Sequence, residues 1–126
     1  MRPRSDPPLV LVVDDYQDAR EMYAEYLEYS GFKVCQARDG VEALEQAFLL
    51  TPDIVLMDLS LPRMDGWEAT NRLKSDPRTC HIPIIALTGH TDKNANLKSV
   101  NCDALIIKPC MPDAVVSELR RVLDAG

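Results

Sequence analysis

Short apolar runs and longer amphipathic stretches alternate along the chain. Five apolar runs, at residues 9–13, 33–37, 53–58, 83–87 and 104–107, have the length and side-chain types of strands. Apolar residues recur at helical spacing within residues 19–30, 41–48, 66–74 and 115–123, whereas residues 91–100 are polar and predict only a weak helix. This alternation predicts an α/β domain whose parallel sheet is covered by helices on both faces.

Stop signals and helical spacing define the ends and inner faces of these helices. Gly31 follows the first helix directly, and Pro52 prevents the second helix from continuing. The inward positions that the spacing predicts are Ala19, Met22, Tyr23, Tyr26 and Leu27 in the first helix and Trp67, Thr70 and Leu73 in the third.

Composition and charge exclude several classes of partner. The chain has 126 residues, 46% hydrophobic and 27% charged, which fits one globular domain. A net charge of −6 would repel nucleic acid and anionic membranes, so we expect neither as a direct partner. No apolar run approaches the roughly 20 residues that cross a bilayer. Residues 1–8 predict a disordered lead-in without signal-peptide character, so we expect a cytoplasmic domain over residues 9–126.

Polar side chains follow four of the five predicted strands. They are Asp14 and Asp15 after the first, Asp58 at the end of the third, Thr88 after the fourth and Lys108 after the fifth. In a doubly wound sheet of order 2-1-3-4-5 these four strands are contiguous, and the crevice at the switch point lies between strands 1 and 3. We therefore expect the three aspartates to meet there.

Three neighbouring carboxylates repel one another and require a cation. Oxygen ligands with room for water favour Mg²⁺, which takes one or two protein carboxylates directly. Lys108 would add a fixed positive charge on the far side of the pocket. A cation, an ammonium group and a hydroxyl around one carboxylate suit a phosphoryl group, with Asp58 as its acceptor in an aspartyl-phosphate.

The chain resembles the receiver domains of two-component response regulators, over roughly residues 9–123. The motifs that carry the resemblance are Val12-Val13-Asp14-Asp15, Leu56-Met57-Asp58, the loop at residues 61–66, Leu87-Thr88-Gly89 and Ile107-Lys108-Pro109. The resemblance implies a flavodoxin-like (βα)5 receiver domain over residues 9–126. Such a domain is not an enzyme in the usual sense but assists its own phosphorylation and dephosphorylation.

The resemblance also implies a role for each site residue. Asp58 would accept the phosphoryl group, and Thr88 and Lys108 would each contact a phosphoryl oxygen. Asp15 would bind Mg²⁺ directly and Asp14 mostly through water. The backbone carbonyl of Ser60 would complete the protein's share of the metal ligands.

Partners and switching follow from the same resemblance. The phosphoryl donor would be a sensor histidine kinase or a histidine phosphotransfer protein. Phosphorylation would favour a conformer in which Thr88 and Lys108 close on the phosphoryl group. Residues 91–100, the last strand and the last helix would then repack, and that face would contact a downstream effector protein or a fused output domain.

Simpler interpretations exist for each site residue taken alone. Asp14 and Asp15 could cap the first helix, since acids favour that position. Thr88 could bond to backbone at a strand end, and Lys108 could be solvated.

The sequence departs from the family pattern near the site. Leu105 stands where receivers often carry Tyr or Phe, so the usual coupling between the threonine and an aromatic ring must be altered or absent. Gly89 stands where alanine is common. Ser60 and His90 occupy places that in the family tune water access to the acyl phosphate.

Three other functions compete with the receiver interpretation. A receiver-like docking module that is never phosphorylated is the main alternative, and Leu105 leaves room for it. A phosphatase of the haloacid dehalogenase type would need a second aspartate two residues after the first, where this chain has Ser60. A flavodoxin-type flavin binder would need a glycine- and hydroxyl-rich loop after the first strand, where Asp14 and Asp15 would repel the flavin phosphate.

Overall fold

The computed structural model describes residues 6–59, 66–88, 102–107 and 111–125. Its strands are β1 (Leu9–Val13), β2 (Lys33–Ala37), β3 (Ile54–Asp58), β4 (Ile84–Thr88) and β5 (Ala104–Ile107). The helices among these residues are α1 (Gln17–Tyr29), α2 (Gly40–Leu50), α3 (Gly66–Ser75) and α4 (Pro112–Ala125). The weak helix predicted over residues 91–100 lies outside the described residues.

The five strands form one parallel sheet in the order β2-β1-β3-β4-β5. This order confirms the doubly wound, flavodoxin-like fold that the sequence predicts. Continuous apolar runs become the central strands because side chains on both faces of a parallel sheet are buried. Every residue of β3 and β4 is buried.

Alternate residues of the central strands pack into two hydrophobic cores, one on each face of the sheet. On one face, Leu11, Val55 and Ile84 pack with Ala43 of α2 and Leu73 of α3. On the other face, the core consists of Val10, Val12, Ile54, Leu56, Ile85 and Leu87 with Tyr23 and Leu27 of α1 and Val115, Leu119 and Leu123 of α4. The sheet is thus clamped between helix pairs, which fixes the positions of its strand ends.

The outer strands are less covered than the apolar pattern predicts. In β5, Ala104 and Ile106 pack against the core shared with α1 and α4, whereas Leu105 is 37% and Ile107 47% exposed. In β2, Lys33 and Gln36 are exposed. Both strands lie at sheet edges, where fewer neighbours cover the side chains.

Helix α1 buries a narrower stripe than its apolar spacing predicts. Tyr23, Ala24 and Leu27 are buried, whereas Met22 and Tyr26 are exposed. The helix contacts the sheet along one line, so positions rotated away from that line face solvent although they are apolar. In α3, Thr70 and Leu73 are buried as predicted, and Trp67 is partly buried against the core.

A backbone hydrogen bond joins the residue before β1 to β2. The Pro8 carbonyl accepts a hydrogen bond from the Lys33 amide at 2.9 Å, so residue 8 already contacts the edge strand β2.

The cysteines among the described residues, Cys35, Cys80 and Cys102, are free thiols, and burial raises the pKa of the Cys35 thiol to about 11. Among the described residues, no helix combines the length and apolarity that crossing a bilayer requires.

Aspartates close the amino edge of the sheet through backbone amides. The Asp53 carboxylate accepts from the Leu9 amide at 2.8 Å, and the Asp103 carboxylate accepts from the Ile84 amide at 2.7 Å. Lys74, near the end of α3, donates to the Ile82 carbonyl at 2.8 Å and lies 2.9 Å from the Asp103 carboxylate. Its ammonium group therefore ties α3 to the start of β4 and β5.

Lys74→Met should lower the free energy of unfolding by about 1–2 kcal/mol, because it removes both contacts of a side chain that is only 10% exposed. Arg72→Met is the matched control on the same helix. It removes the same charge, but the 3.4 Å ion pair of Arg72 with Glu68 is exposed and contributes about 0–0.5 kcal/mol. Urea unfolding of both variants measures the difference, and equal losses would contradict the anchoring role of Lys74.

Candidate functional site

The register between β1 and β3 brings two aspartates to the same level. Val13, the last residue of β1, pairs with Met57, so Asp14 and Asp58 follow directly on adjacent strands. Both are buried at the carboxyl edge of the sheet. The position of Asp58 is fixed further by the Leu59 amide, which donates to the Leu87 carbonyl of β4 at 3.0 Å.

Asp14, Asp15 and Asp58 form one acidic cluster. One carboxylate oxygen from each residue lies within 4.8 Å of the others, with Asp15 exposed and the other two buried. Two charges about 4 Å apart repel by about 4 kcal/mol at an effective dielectric constant of about 20. The structure therefore brings these three side chains together as the sequence predicts. A bound cation would offset the repulsion between their carboxylates.

Asp14 holds the turn between β1 and α1 through its backbone amide and its carboxylate. The Asp14 amide donates to the Ala37 carbonyl of β2 at 3.1 Å, and its carboxylate accepts from the Tyr16 amide at 2.9 Å. The N-cap residue of α1 is Tyr16, whose side chain makes no capping hydrogen bond. Neither aspartate occupies the cap position, so the simple capping interpretation of this pair does not describe the turn.

Helix α3 begins against the backbone of Asp58. The Gly66 amide donates to the Leu59 carbonyl at 3.2 Å. A Cβ at residue 66 would overlap the Asp58 carbonyl oxygen and would lie 2.6 Å from the Leu59 Cα. Only glycine permits this approach, which is a constraint that turn propensity alone did not reveal.

Thr88 ends the neighbouring strand at the same edge. It is buried, follows Leu87, which pairs with Asp58, and itself pairs with Ile107 of β5. Lys108 comes next after Ile107 in the chain, but Lys108 and Ser60 both lie outside the described residues. Gly89 and His90 lie outside them as well.

The donor set fits a hard divalent cation. The three ligand atoms are carboxylate oxygens, which Mg²⁺ prefers, and opposite ligands of an Mg²⁺ octahedron lie about 4.2 Å apart. The three ligand atoms lie within 4.8 Å of one another, so one hydrated ion between them could bind one or two carboxylates directly and the remaining one through water. Asp14 and Asp15 from the end of β1 and Asp58 from β3 would hold such an ion between them.

Comparisons with known proteins agree with this geometry. A family model described as the response regulator receiver domain matches residues 10–120. The chain belongs to the response regulator receiver family. Receiver domains are signalling switches rather than conventional enzymes, act with kinases and effectors, and typically carry an aspartyl-phosphate and Mg²⁺ at an acidic pocket.

Individual members of the family are similar over nearly the whole chain. The polar-differentiation response regulator DivK of Brucella anthropi is 33% identical over 119 residues, 93% of this chain and 97% of that protein. The chemotaxis response regulator CheY4 of Vibrio cholerae is 32% identical with a TM-score of 0.84, over 91% of this chain and 98% of that one. The signal receiver domain of a Syntrophus aciditrophicus histidine kinase is 29% identical with a TM-score of 0.83, over 94% and 91%.

Gly66→Ala should lower the free energy of unfolding by about 2–3 kcal/mol, because its methyl group would overlap the Asp58 carbonyl oxygen. Asn71→Ala, at an exposed position of α3, is the control and should change stability by no more than about 0.5 kcal/mol. Urea unfolding gives both values. A Gly66→Ala protein as stable as the wild type would contradict the contact between α3 and Asp58.

Proposed function

We propose that this receiver domain is a phosphorylation-dependent switch that accepts a phosphoryl group on Asp58 with Mg²⁺ bound beside it. The donor is a phosphohistidine on a sensor histidine kinase or a histidine phosphotransfer protein, and the phosphorylated form acts on an effector protein or a fused output domain. The observation that carries the proposal is the cluster of Asp14, Asp15 and Asp58 at the carboxyl edge of the sheet.

The chemistry of transfer needs a positioned carboxylate and charge neutralisation. An oxygen of Asp58 attacks phosphorus, the new O–P bond forms, and the P–N bond of the donor histidine breaks. The bond pair passes to the imidazole nitrogen, which takes a proton from water. The acidic cluster would hold an Mg²⁺ ion, whose positive charge would stabilise the negative charge on the phosphoryl oxygens. Asp15 would bind that ion directly, Asp14 through water, and the Ser60 carbonyl would complete the ligands.

The neighbouring strands supply the remaining polar groups. Thr88 at the end of β4 would donate its hydroxyl hydrogen to a phosphoryl oxygen, and Lys108 after β5 would pair with another. Because Thr88 pairs with Ile107, closure of both groups on the phosphoryl group would move the β4–β5 edge as a unit. A phosphoryl group adds about −1.5 to −2 charges, which gives the closed conformer its differential stability.

A docking module that is never phosphorylated is the second candidate. One observation favours it: Leu105, where the family often carries an aromatic ring, is 37% exposed on β5. Binding of beryllofluoride that requires Mg²⁺, read by Trp67 fluorescence, discriminates between the two functions. The phosphorylated switch predicts saturable binding, and the docking module predicts none.

Acetyl phosphate with Mg²⁺ should add one phosphoryl group to the wild type and none to Asp58→Asn, as measured by intact mass. Asp53→Asn is the matched control, since Asp53 is also a buried aspartate and directly precedes the first residue of β3, the strand that Asp58 ends. Asparagine there keeps an oxygen that can accept from the Leu9 amide, so labelling should match the wild type. Equal labelling of Asp58→Asn and wild type would remove Asp58 as the acceptor.

Mg²⁺ should change the fluorescence of Trp67, the single tryptophan, because Trp67 directly follows Gly66, whose backbone lies against that of Asp58, and a shift of this contact alters the packing of the ring. Asp15→Asn should raise the Kd for Mg²⁺ about tenfold or more, since it removes a charged ligand. Asp18→Asn, an acidic residue in the first turn of α1, makes the same charge change and should alter Kd less than about twofold. Equal effects of the two variants would mean that only the general negative field attracts the ion.

A further inference from the structure

The Arg20 guanidinium connects the edge strand β2 to the turn that carries the acid pair. Its Nε donates to the Gln36 side-chain oxygen at 3.0 Å, and its Nη1 donates to the Asp14 carbonyl at 3.0 Å. Arg20 lies in the first turn of α1, and its amide donates to the Tyr16 carbonyl at 3.0 Å. One partly buried side chain therefore touches α1, β2 and the β1–α1 turn.

The Asp14 carbonyl belongs to the peptide plane that precedes Asp15. Because a peptide unit is planar, a hydrogen bond to this oxygen restrains the whole plane and hence the position of the Asp15 Cα, from which the Asp15 side chain projects. Asp15 is exposed, so little packing constrains its side chain. The Asp14 amide and carboxylate are bonded to Ala37 and Tyr16, and the contact with Arg20 adds a restraint on its carbonyl.

We propose that Arg20, itself oriented by Gln36, is a positioning residue that aims Asp15 at the cation site. The inference rests on the proposed function in one respect, namely that the acidic cluster binds Mg²⁺. It adds a contribution from β2, the strand after which the sequence predicts no site residue.

Charge and positioning predict opposite effects at Arg20. A guanidinium beside the acid cluster repels a divalent cation, so its removal for charge reasons alone would tighten Mg²⁺ binding. If the guanidinium instead holds the Asp14–Asp15 peptide in place, its removal weakens binding. The sign of the change in Kd separates the two roles. Gln36 offers a cleaner test, because its substitution changes no charge and its position is exposed on an edge strand.

The experiment measures the Mg²⁺ Kd by Trp67 fluorescence and by calorimetry at fixed ionic strength. We expect Arg20→Ala to raise Kd about tenfold, the lower end of the effect of groups that orient metal ligands. Gln36→Ala should raise it less, because the guanidinium keeps its bond to the Asp14 carbonyl. Arg20→Lys keeps the charge but has a single terminal nitrogen, which cannot reproduce the geometry of the two guanidinium nitrogens that bond Gln36 and Asp14. It should therefore weaken binding as Gln36→Ala does. Gln46→Ala on α2 and Arg121→Ala on α4 are the neutral and charge-matched controls, and both should bind as the wild type does.

A second measurement needs no metal. Amide hydrogen exchange in the metal-free protein should quicken at residues 15 and 16 in Gln36→Ala and Arg20→Ala, relative to the buried amides of β3. Tighter binding by Arg20→Ala would reduce its role to charge and overturn the inference. Unchanged Kd with a lower free energy of unfolding would make the contact merely structural and overturn it equally. Absence of Mg²⁺ binding in the wild type would instead refute the proposed function, and the inference with it.

Discussion

The parallel hydrogen-bond ladder between β1 and β3 is the interaction on which the site depends. Its register sets Val13 opposite Met57, and the next residue on each strand is an aspartate. The sheet thereby holds together carboxylates that would separate if the chain were free. Burial of the central strands supplies the stability that opposes this repulsion, since full burial of one large aliphatic side chain contributes about 1.5–3 kcal/mol. The fold stores local electrostatic repulsion that a cation can relieve.

Helix α3 connects the carboxyl edge of the sheet, where the acidic cluster lies, to the opposite edge. Its first residue, Gly66, touches the backbone of Asp58, and Lys74 near its last turn is bonded to the Ile82 carbonyl and the Asp103 carboxylate. A shift at the start of this helix would strain a part-buried ion pair at its end. Trp67 lies between these two contacts and packs against the core, which makes it a sensitive reporter of helix position.

Sequence reasoning recovered the strands and the acid cluster because both depend on signals along the chain. Buried parallel strands are continuous apolar runs, and Asp14, Asp15 and Asp58 lie at the carboxyl ends of two strands, which share one edge of a parallel sheet. The outer face of α1 was not predictable in the same way, since Met22 and Tyr26 are apolar but lie off the contact line. The bond from Arg20 to Gln36 was also invisible, because neither residue type is unusual and 16 positions separate them. Such contacts appear only when β2 and α1 are placed side by side.

Aspartate serves two opposite purposes in this sheet, and strand polarity decides which. Asp53 and Asp103 precede β3 and β5, where the first amides of neighbouring strands point outward without a ladder partner, and their carboxylates accept those hydrogen bonds. At the carboxyl edge the strands end in carbonyl groups, which offer a carboxylate no donor. Acids placed there can accept hydrogen bonds from the following turn, as Asp14 does from the Tyr16 amide, or can bind a cation. The same residue type thus satisfies backbone amides at one edge of the sheet and forms an acidic cluster at the other, so its meaning depends on its place on the strand.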